Sequence, residues 1–299
     1  MTTTVTITGS GTPMPTPGRA GPGALIRHGD TAIQIDAGRA TALRLVEAGL
    51  ALPGLDALLV THHHSDHMLG ITDLVLARWI SNGAGPCPSL PIHCPAGPAE
   101  TFVGSLFDQL GADIENRRAQ FPYVDAPEPT MIPFEATAEP TLVAEYGEIA
   151  IHTVSVDHGG LEPAVCFRFT TPDGVILISG DTRVCGALEK LAADADVLVH
   201  EAFSTDLLAR RGMPAPVITN FSHHHADAGE VGALAARLDV SELVITHMIP
   251  SPMNAEETAV FADAIRGAGF GGDLTIADDL FTATIDSAIA GSGSGSGSV

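Results

Sequence analysis

The sequence predicts an α/β protein, and more specifically a four-layer αββα sandwich in which two mixed β-sheets pack between outer helices. Strand-like and helix-like segments alternate in both halves of the chain. The run Val175-Ile176-Leu177-Ile178 is apolar on both faces, which is typical of an interior strand that is covered on both sides. The 299 residues, 45% of them hydrophobic, are enough for a large core.

In the first half of the chain, β-branched residues alternate with threonine at 2–8 and predict an opening strand, and a Gly/Pro-rich loop follows at 9–23. A helix after Gly38 should bury Leu43, Val46 and Leu50 on one face. Residues 111–148 are acidic and poorly periodic, and they predict only short strands and loops. The further strands are predicted at 24–27, 31–35, 55–60 and 90–94, and the further helices at 68–80, with Trp79 in the core, and at 98–110.

In the second half, Pro172-Asp173-Gly174 predicts a turn between two strands. Asn254 precedes two glutamates and is a suitable N-cap for the last helix. Strands are predicted at 148–156, 165–170, 175–179, 196–199 and 242–246, and helices at 184–193, within 220–238 and at 254–267. Because polar residues follow several of these strands, they should meet on one rim of the sandwich.

One domain is expected over residues 1–290, because no linker divides the two halves. Residues 291–299 repeat Gly and Ser, a composition typical of a flexible engineered linker, and we exclude this tail from the fold. Residues 1–10 lack the basic and apolar regions of a signal peptide, and no apolar run reaches transmembrane length. A cytoplasmic location without membrane contact is therefore expected, although a signal peptide that had already been removed would leave no trace.

Four cysteines without a CxxC spacing are too few for a disulfide scaffold. Cys87 and Cys94 could pair in an oxidising compartment. The Pro-rich segment between them gives no strong reason to expect that bond.

The densest set of metal-binding side chains follows the predicted strand at 55–60, in the stretch Thr61-His62-His63-His64-Ser65-Asp66-His67. Its spacing, His62-x-His64-x-Asp66-His67, supplies three imidazoles and one carboxylate, which are suitable zinc ligands. A solvated His-rich loop is the alternative interpretation of this tract taken alone.

This stretch resembles the HxHxDH signature of the metallo-β-lactamase superfamily, whose fold is the αββα sandwich. Further residues follow in the order that the resemblance requires: His158 in Val156-Asp157-His158-Gly159, Asp181 in Ser179-Gly180-Asp181-Thr182, and His247 in Ile245-Thr246-His247. The similarity extends over residues 3–280. The loop at 9–23 and the run that ends at Asp181 are similar to the ribonuclease Z and arylsulfatase-like branch of the superfamily.

The resemblance implies a binuclear metal centre with two Zn²⁺ ions, for which Mn²⁺ or Fe²⁺ are other options. By family motif, one ion would be held by His62, His64 and His158, the other by Asp66, His67 and His247, and Asp181 would bridge them. A hydroxide shared by the ions would be the nucleophile, so the expected reaction is hydrolysis, with Asp66 counted among the catalytic residues. His63 is expected not to be a ligand, and for Asp181 alone a helix N-cap is the alternative.

A second set of residues resembles the proton donor of the same branch. His200-Glu201-Ala202 looks like one of its elements, and His223 matches its later histidine. In that interpretation Glu201 orients His223, which protonates the departing oxygen as a general acid. A histidine in a loop at a helix start is the structural alternative for His223, and His224 and His225 have no place in the pattern.

Charge limits the expected substrates. A formal charge of −22 and a single lysine, Lys190, disfavour extended contact with nucleic acid. The basic arm that ribonuclease Z inserts between its equivalents of His158 and Asp181 is missing, and residues 73–79 look closer to arylsulfatases and small-phosphodiester hydrolases. We therefore expect a hydrolase of small phosphodiesters or aryl sulfates that binds a small anionic ester, with a homodimer as an option that the resemblance implies.

Three alternatives remain open at the level of the sequence. The same metal centre could serve a lactonase or β-lactamase-like acyl hydrolase. It could also serve a ribonuclease Z-type endonuclease, or bind metal without turnover.

Overall fold

The computed structural model describes residues 2–82, 87–120 and 127–285, so the predicted tail at 291–299 lies outside the described residues. The strands are β1 (Thr3–Gly9), β2 (Gly23–His28), β3 (Thr31–Ile35), β4 (Ala57–Leu59), β5 (Pro91–Pro95), β6 (Thr130–Phe134), β7 (Thr141–Tyr146), β8 (Ile149–Ser155), β9 (Val165–Thr170), β10 (Val175–Ile178), β11 (Val197–Phe203), β12 (Glu242–Ile249), β13 (Asp273–Ile276) and β14 (Thr282–Ile285). The helices are α1 (Thr41–Glu47), α2 (Ser65–Met68), α3 (Ile71–Ser81), α4 (Pro98–Gly104), α5 (Gly111–Gln120), α6 (Gly186–Leu191), α7 (Thr205–Arg210), α8 (Ala215–Ser222), α9 (Ala228–Leu238) and α10 (Ala255–Gly267).

Two seven-stranded mixed sheets form the centre of the molecule. The first has the strand order β14-β1-β2-β3-β4-β5-β6, and the second has the order β13-β12-β11-β10-β9-β8-β7. Pairing is antiparallel from β14 to β3 and from β10 to β7, and it is parallel in the other half of each sheet. The predicted pair of mixed sheets is confirmed.

Three apolar cores separate the four layers. Strand β10 alternates between two of them: Ile176 and Ile178 belong to the core between the sheets, and Val175 and Leu177 belong to the core under the outer helices. A third core joins the first sheet to the helices on its outer side. Because successive strand residues point to opposite faces, a strand buried on both sides must be apolar throughout, as predicted for this run.

Helix α1 turns a different face to the core from the one predicted. Leu43 is 56% exposed and Val46 is 54% exposed, whereas Leu45 is fully buried. The helix ends at Glu47, so Leu50 lies beyond it. The prediction used apolar spacing alone, and an isolated exposed Leu or Val costs too little to set the orientation of a short helix.

Other helices also differ from the prediction. The helix predicted at 68–80 is observed as α3, which begins three residues later at Ile71, after the short helix α2 has ended at Met68, and Trp79 lies in the core as expected. Helices α5 and α7 were not predicted, and the helix predicted within 220–238 is divided between α8 and α9. Helix α5 was missed because its polar sequence buries only Ile114, so it has almost no apolar period to detect.

The last two long helices begin at side-chain caps. The side chain of Asp227 accepts a hydrogen bond from the backbone of α9, and Glu230 completes a capping box. Asn254 caps α10 as predicted, accepting a hydrogen bond from the backbone N–H of Glu257.

The cysteines are free thiols, so Cys87 and Cys94 do not pair. Within the described ranges, no helix combines the length and the apolar content needed to cross a bilayer.

Candidate metal centre

The histidine-rich stretch lies where β4 ends, on the rim of the first sheet. Asp66 and His67 are adjacent residues of the short helix α2, and both are buried. Close packing behind the helix fixes its position, because a Cβ atom on Gly38 would lie 2.5 Å from the backbone oxygen of Asp66. Glycine is therefore required at position 38 for α2 to approach the sheet.

The second sheet supplies the other predicted ligands from separate strands. His158 follows β8, and Asp181 follows β10 after a glycine. His247 lies in β12 at a bulge, where its φ of 43° is in the left-handed region. Bulges of this kind redirect a side chain next to active sites, and here the bulge turns His247 towards the residues of the first sheet.

The structure brings all seven predicted ligands together. Three groups have candidate ligand atoms that all lie within 4.8 Å of one another: His62, His64, His158 and Asp181; Asp66, His67 and His247; and Asp181, His225 and His247. The first two groups correspond to the two ligand sets implied by the resemblance, and Asp181 links the groups. His63 belongs to none of these groups.

Short distances join the groups through Asp181. Its carboxylate oxygens lie 3.4 Å from Nε2 of His67 and 3.4 Å from Nε2 of His247. Across the first group, Nε2 of His158 is 3.3 Å from Nδ1 of His64. Among the described residues, Nε2 of His62 and of His67 have no hydrogen-bond partner although both are buried. Buried nitrogen atoms without partners are costly, so their lone pairs fit a divalent cation.

Electrostatics keeps most of these groups in the form that binds a metal. His67 is the exception, because the carboxylates of Asp181 and Asp36 outweigh burial and raise its pKa well above the ordinary value. Burial lowers the pKa of His158, burial with the neighbouring imidazoles lowers the pKa of His64 to about 4, and the same causes lower the pKa of His62 well below its ordinary value. Burial opposes ionisation of Asp181, but the imidazoles of His247 and His67 hold its pKa well below the usual range. Neutral imidazoles and ionised carboxylates are the ligand forms that zinc requires.

Hydrogen bonds from behind orient the predicted ligands. Asp36, in the left-handed conformation with a φ of 51°, places its carboxylate 2.7 Å from Nδ1 of His67 and accepts a hydrogen bond from the backbone of Thr61. The backbone oxygen of His224 lies 2.7 Å from Nδ1 of His158. Such partners fix which ring nitrogen faces a metal. Asp36 was not predicted from the sequence; its signal is a lone acidic residue directly after a predicted strand.

The predicted pair of Glu201 and His223 is not formed, and this prediction is corrected. His223 is exposed, while the Glu201 carboxylate lies 2.8 Å from Nδ1 of His225. His225 is only 9% exposed, and its ring stacks on that of His247 at 5.9 Å. The reason is geometric: α8 ends just before the three consecutive histidines, and the third places its ring between Glu201 and His247.

Comparisons with known proteins show the family of this chain. The family model described as "Beta-lactamase superfamily domain" matches residues 30–248. A "Ribonuclease Z" from Mycolicibacterium paratuberculosis is 35% identical over 282 residues, covering 94% of this chain and 98% of that relative. A "Ribonuclease Z" from Mycobacterium bovis is 33% identical over 278 residues, covering 92% of this chain and 96% of that relative.

Solved structures share the fold at lower identity. The metallo-β-lactamase fold protein YhfI from Bacillus subtilis has a TM-score of 0.71 and 21% identity, covering 95% of this chain and 100% of its own. The short form of human tRNase Z has a TM-score of 0.65 and 18% identity, covering 94% of this chain and 99% of its own. The chain belongs to the metallo-β-lactamase superfamily, in its ribonuclease Z branch, and is a metal-dependent hydrolase.

Proposed function

We propose that this hydrolase holds two zinc ions and cleaves phosphodiester bonds in RNA. The observation that supports the proposal best is the cluster of seven ligand residues beside a buried histidine–carboxylate pair, in a chain whose curated relatives are named Ribonuclease Z. The proposal therefore ranks RNA above small phosphodiesters and aryl sulfates as the substrate. The expectation from the charge of the chain was the reverse ranking.

Bound zinc ions would lower the pKa of a water molecule to near neutrality and neutralise charge that develops on the phosphoryl group. The protein's own groups have complementary tasks. Asp36 and the backbone of His224 orient His67 and His158, as their hydrogen bonds indicate. His225, held by Glu201, would give a proton to the departing oxygen. Without that proton the leaving group would depart as an unstable alkoxide.

A second candidate is the hydrolysis of small phosphodiesters. It is favoured by one observation, the formal charge of −22 with a single lysine, which weakens any long contact with a polyanion. Aryl sulfates and acyl lactones are the further substrates that the same centre could polarise.

A substrate panel tests the proposal. We would measure kcat/KM of zinc-loaded protein on an RNA with a 3′ extension, bis-nitrophenyl phosphate, nitrophenyl sulfate and an acyl lactone, with chelator-treated protein as the control. RNA cleavage with the highest kcat/KM, lost on chelation, is the expected result. A higher value for bis-nitrophenyl phosphate would favour the second candidate. A preference for the sulfate or the lactone would contradict both.

A further inference from the structure

Helix α8 leaves an apolar surface uncovered beside the metal centre. Its eight residues are all exposed or half-buried. Val217 is 40% exposed, and Met213, just before the helix, is 37% exposed. Phe221 is half-buried and lies four residues after Val217, so the two side chains share one face of the helix. Apolar side chains left uncovered together often mark a binding surface.

A row of rings connects Phe221 to the centre. The ring of Phe221 lies 6.2 Å from that of His225, which stacks on His247 at 5.9 Å with an angle of 20° between the ring planes. The end of α8 is fixed against the site, because Gly159 packs so closely that a Cβ atom there would lie 2.5 Å from the backbone oxygen of His223. Phe221 is therefore held in a defined position next to His225, the proposed proton donor.

Three segments of the chain contain no carboxylates, whereas Asp157 and Glu162 lie on the loop of Gly159 that packs against the end of α8. The chain has 36 Asp and Glu residues, but none at 2–29, 207–226 or 243–255. These segments carry the N-terminal loop, α8 with the three histidines, and His247. Pro22 and Gly23 of the first segment line the same small cavity as His67 and His247. These three segments repel an anionic substrate less than the rest of the chain does.

We propose that Phe221 stacks against the nucleobase of the leaving nucleoside, and that this contact selects nucleotide substrates in place of a basic arm. The inference rests on the proposed phosphodiester function and names the substrate group that it recognises. Stacking suits the surface because every base has an aromatic face and the contact needs no positive charge. When an aromatic residue that stacks on a base is replaced by alanine, the loss of the stacking contact weakens binding by about 5- to 150-fold per base.

Binding of two small probes tests the proposal independently of turnover. We would measure Kd values of the zinc-loaded full chain for adenosine monophosphate and ribose 5-phosphate by calorimetry. We expect the base-bearing probe to bind at least about 5-fold more tightly to the wild type. Phe221→Ala should reduce this ratio to about 1 by weakening only adenosine monophosphate. Phe221→Trp should retain the ratio, and Thr219→Ala, an exposed change on the same helix, should leave it unchanged.

Equal affinity for the two probes in the wild type, or no binding of either, would overturn the proposal. If Phe221→Ala instead dissociates a dimer in sedimentation experiments and leaves the probe ratio unchanged, the surface is a subunit interface and the proposal is wrong. RNA turnover by the same samples separates the two proposals. Base-dependent binding without phosphodiester cleavage would support the stacking site and contradict the proposed function.

Discussion

At the scale of single residues, the charge of His225 is set by its carboxylate partner. Burial lowers its pKa, but the carboxylate of Glu201 more than reverses this effect and raises the pKa to about 9. His64 and His158 have pKa values below the ordinary range because of burial. Burial also opposes protonation of His67, but the carboxylates of Asp181 and Asp36 more than reverse this effect and raise its pKa well above the ordinary value. One cluster thus contains neutral imidazoles that can bind a metal and a protonated imidazole that can act as an acid.

Substitution of His225 should separate these two tasks. We predict that His225→Ala keeps its zinc but hydrolyses diesters with poor leaving groups about 10²- to 10⁴-fold more slowly, while nitrophenyl substrates, which need no proton, lose far less. His223→Ala is the matched control and should change neither rate. Both substrates are measured by steady-state kinetics and zinc by elemental analysis. Equal losses on both substrates, or loss of zinc, would remove the acid role from His225.

The clustering of the seven predicted ligands could be predicted from sequence, but which of the three consecutive histidines pairs with Glu201 could not. A local motif supplies four of the predicted ligands, and its residues are close in space because they are close in sequence: His62, His64, Asp66 and His67. His223, His224 and His225 are consecutive, so their spacing carries no information about which one faces Glu201. That choice depends on where α8 ends and on its packing against Gly159, which are properties of the folded chain.

At the scale of elements, the contact between α9 and α10 depends on one glycine. A Cβ atom on Gly232 would lie 2.6 Å from the backbone oxygen of Ile265 and 2.7 Å from its Cα atom. Backbone cannot move away as a flexible side chain can. In the same helix, a Cβ atom on Gly229 would meet nothing closer than the Asp227 side chain at 3.5 Å, an ordinary contact.

Substitution by alanine should therefore change the free energy of unfolding in opposite directions at the two glycines. Gly232→Ala should lower the free energy of unfolding by about 1–3 kcal/mol through overpacking. Gly229→Ala should raise it by up to about 1 kcal/mol, because alanine favours a helix more than glycine does. Urea unfolding of the zinc-loaded variants measures both. A stable Gly232→Ala protein would mean that the helices are farther apart than described.

Elements with strong apolar patterns were predictable, and weakly patterned ones were not. The strand at Val175–Ile178 was found because it is apolar on both faces. The buried face of α1 was misjudged because this helix buries Thr41, Ala42 and Leu45, a set with little apolar contrast. Orientation of so short a helix is decided by the sheet beneath it, which sequence periodicity does not describe.

At the scale of the whole molecule, the two sheets are joined by buried polar contacts as well as by apolar packing. His93 in β5 of the first sheet lies 2.7 Å from the hydroxyl of Tyr146 in β7 of the second. Burial lowers the pKa of His93 and raises the pKa of Tyr146, so both are neutral near pH 7. Protonation of His93 would place a positive charge between the sheets.

This burial makes stability depend on pH. The folded pKa of His93 lies below its ordinary value of 6.5, so the unfolded chain binds more protons as the pH falls below 6.5 and the free energy of unfolding decreases. The loss is at most about 1.4 kcal/mol per pH unit. We predict that the decrease between pH 7.5 and 5.5, measured by urea unfolding of metal-free protein, is smaller for His93→Gln than for the wild type. An identical decrease would show that His93 titrates normally.

The central claim is that the clustered residues form a two-zinc hydrolytic centre, and zinc content measured together with RNA cleavage tests it most directly. Wild type and Asp181→Ala would be purified without chelator and compared. We predict about two zinc ions per wild-type chain, with loss of zinc and of cleavage in the variant, because Asp181 belongs to the group of His62, His64 and His158 and lies 3.4 Å from Nε2 of both His67 and His247. Wild-type protein without zinc, or cleavage that survives Asp181→Ala, would contradict the claim.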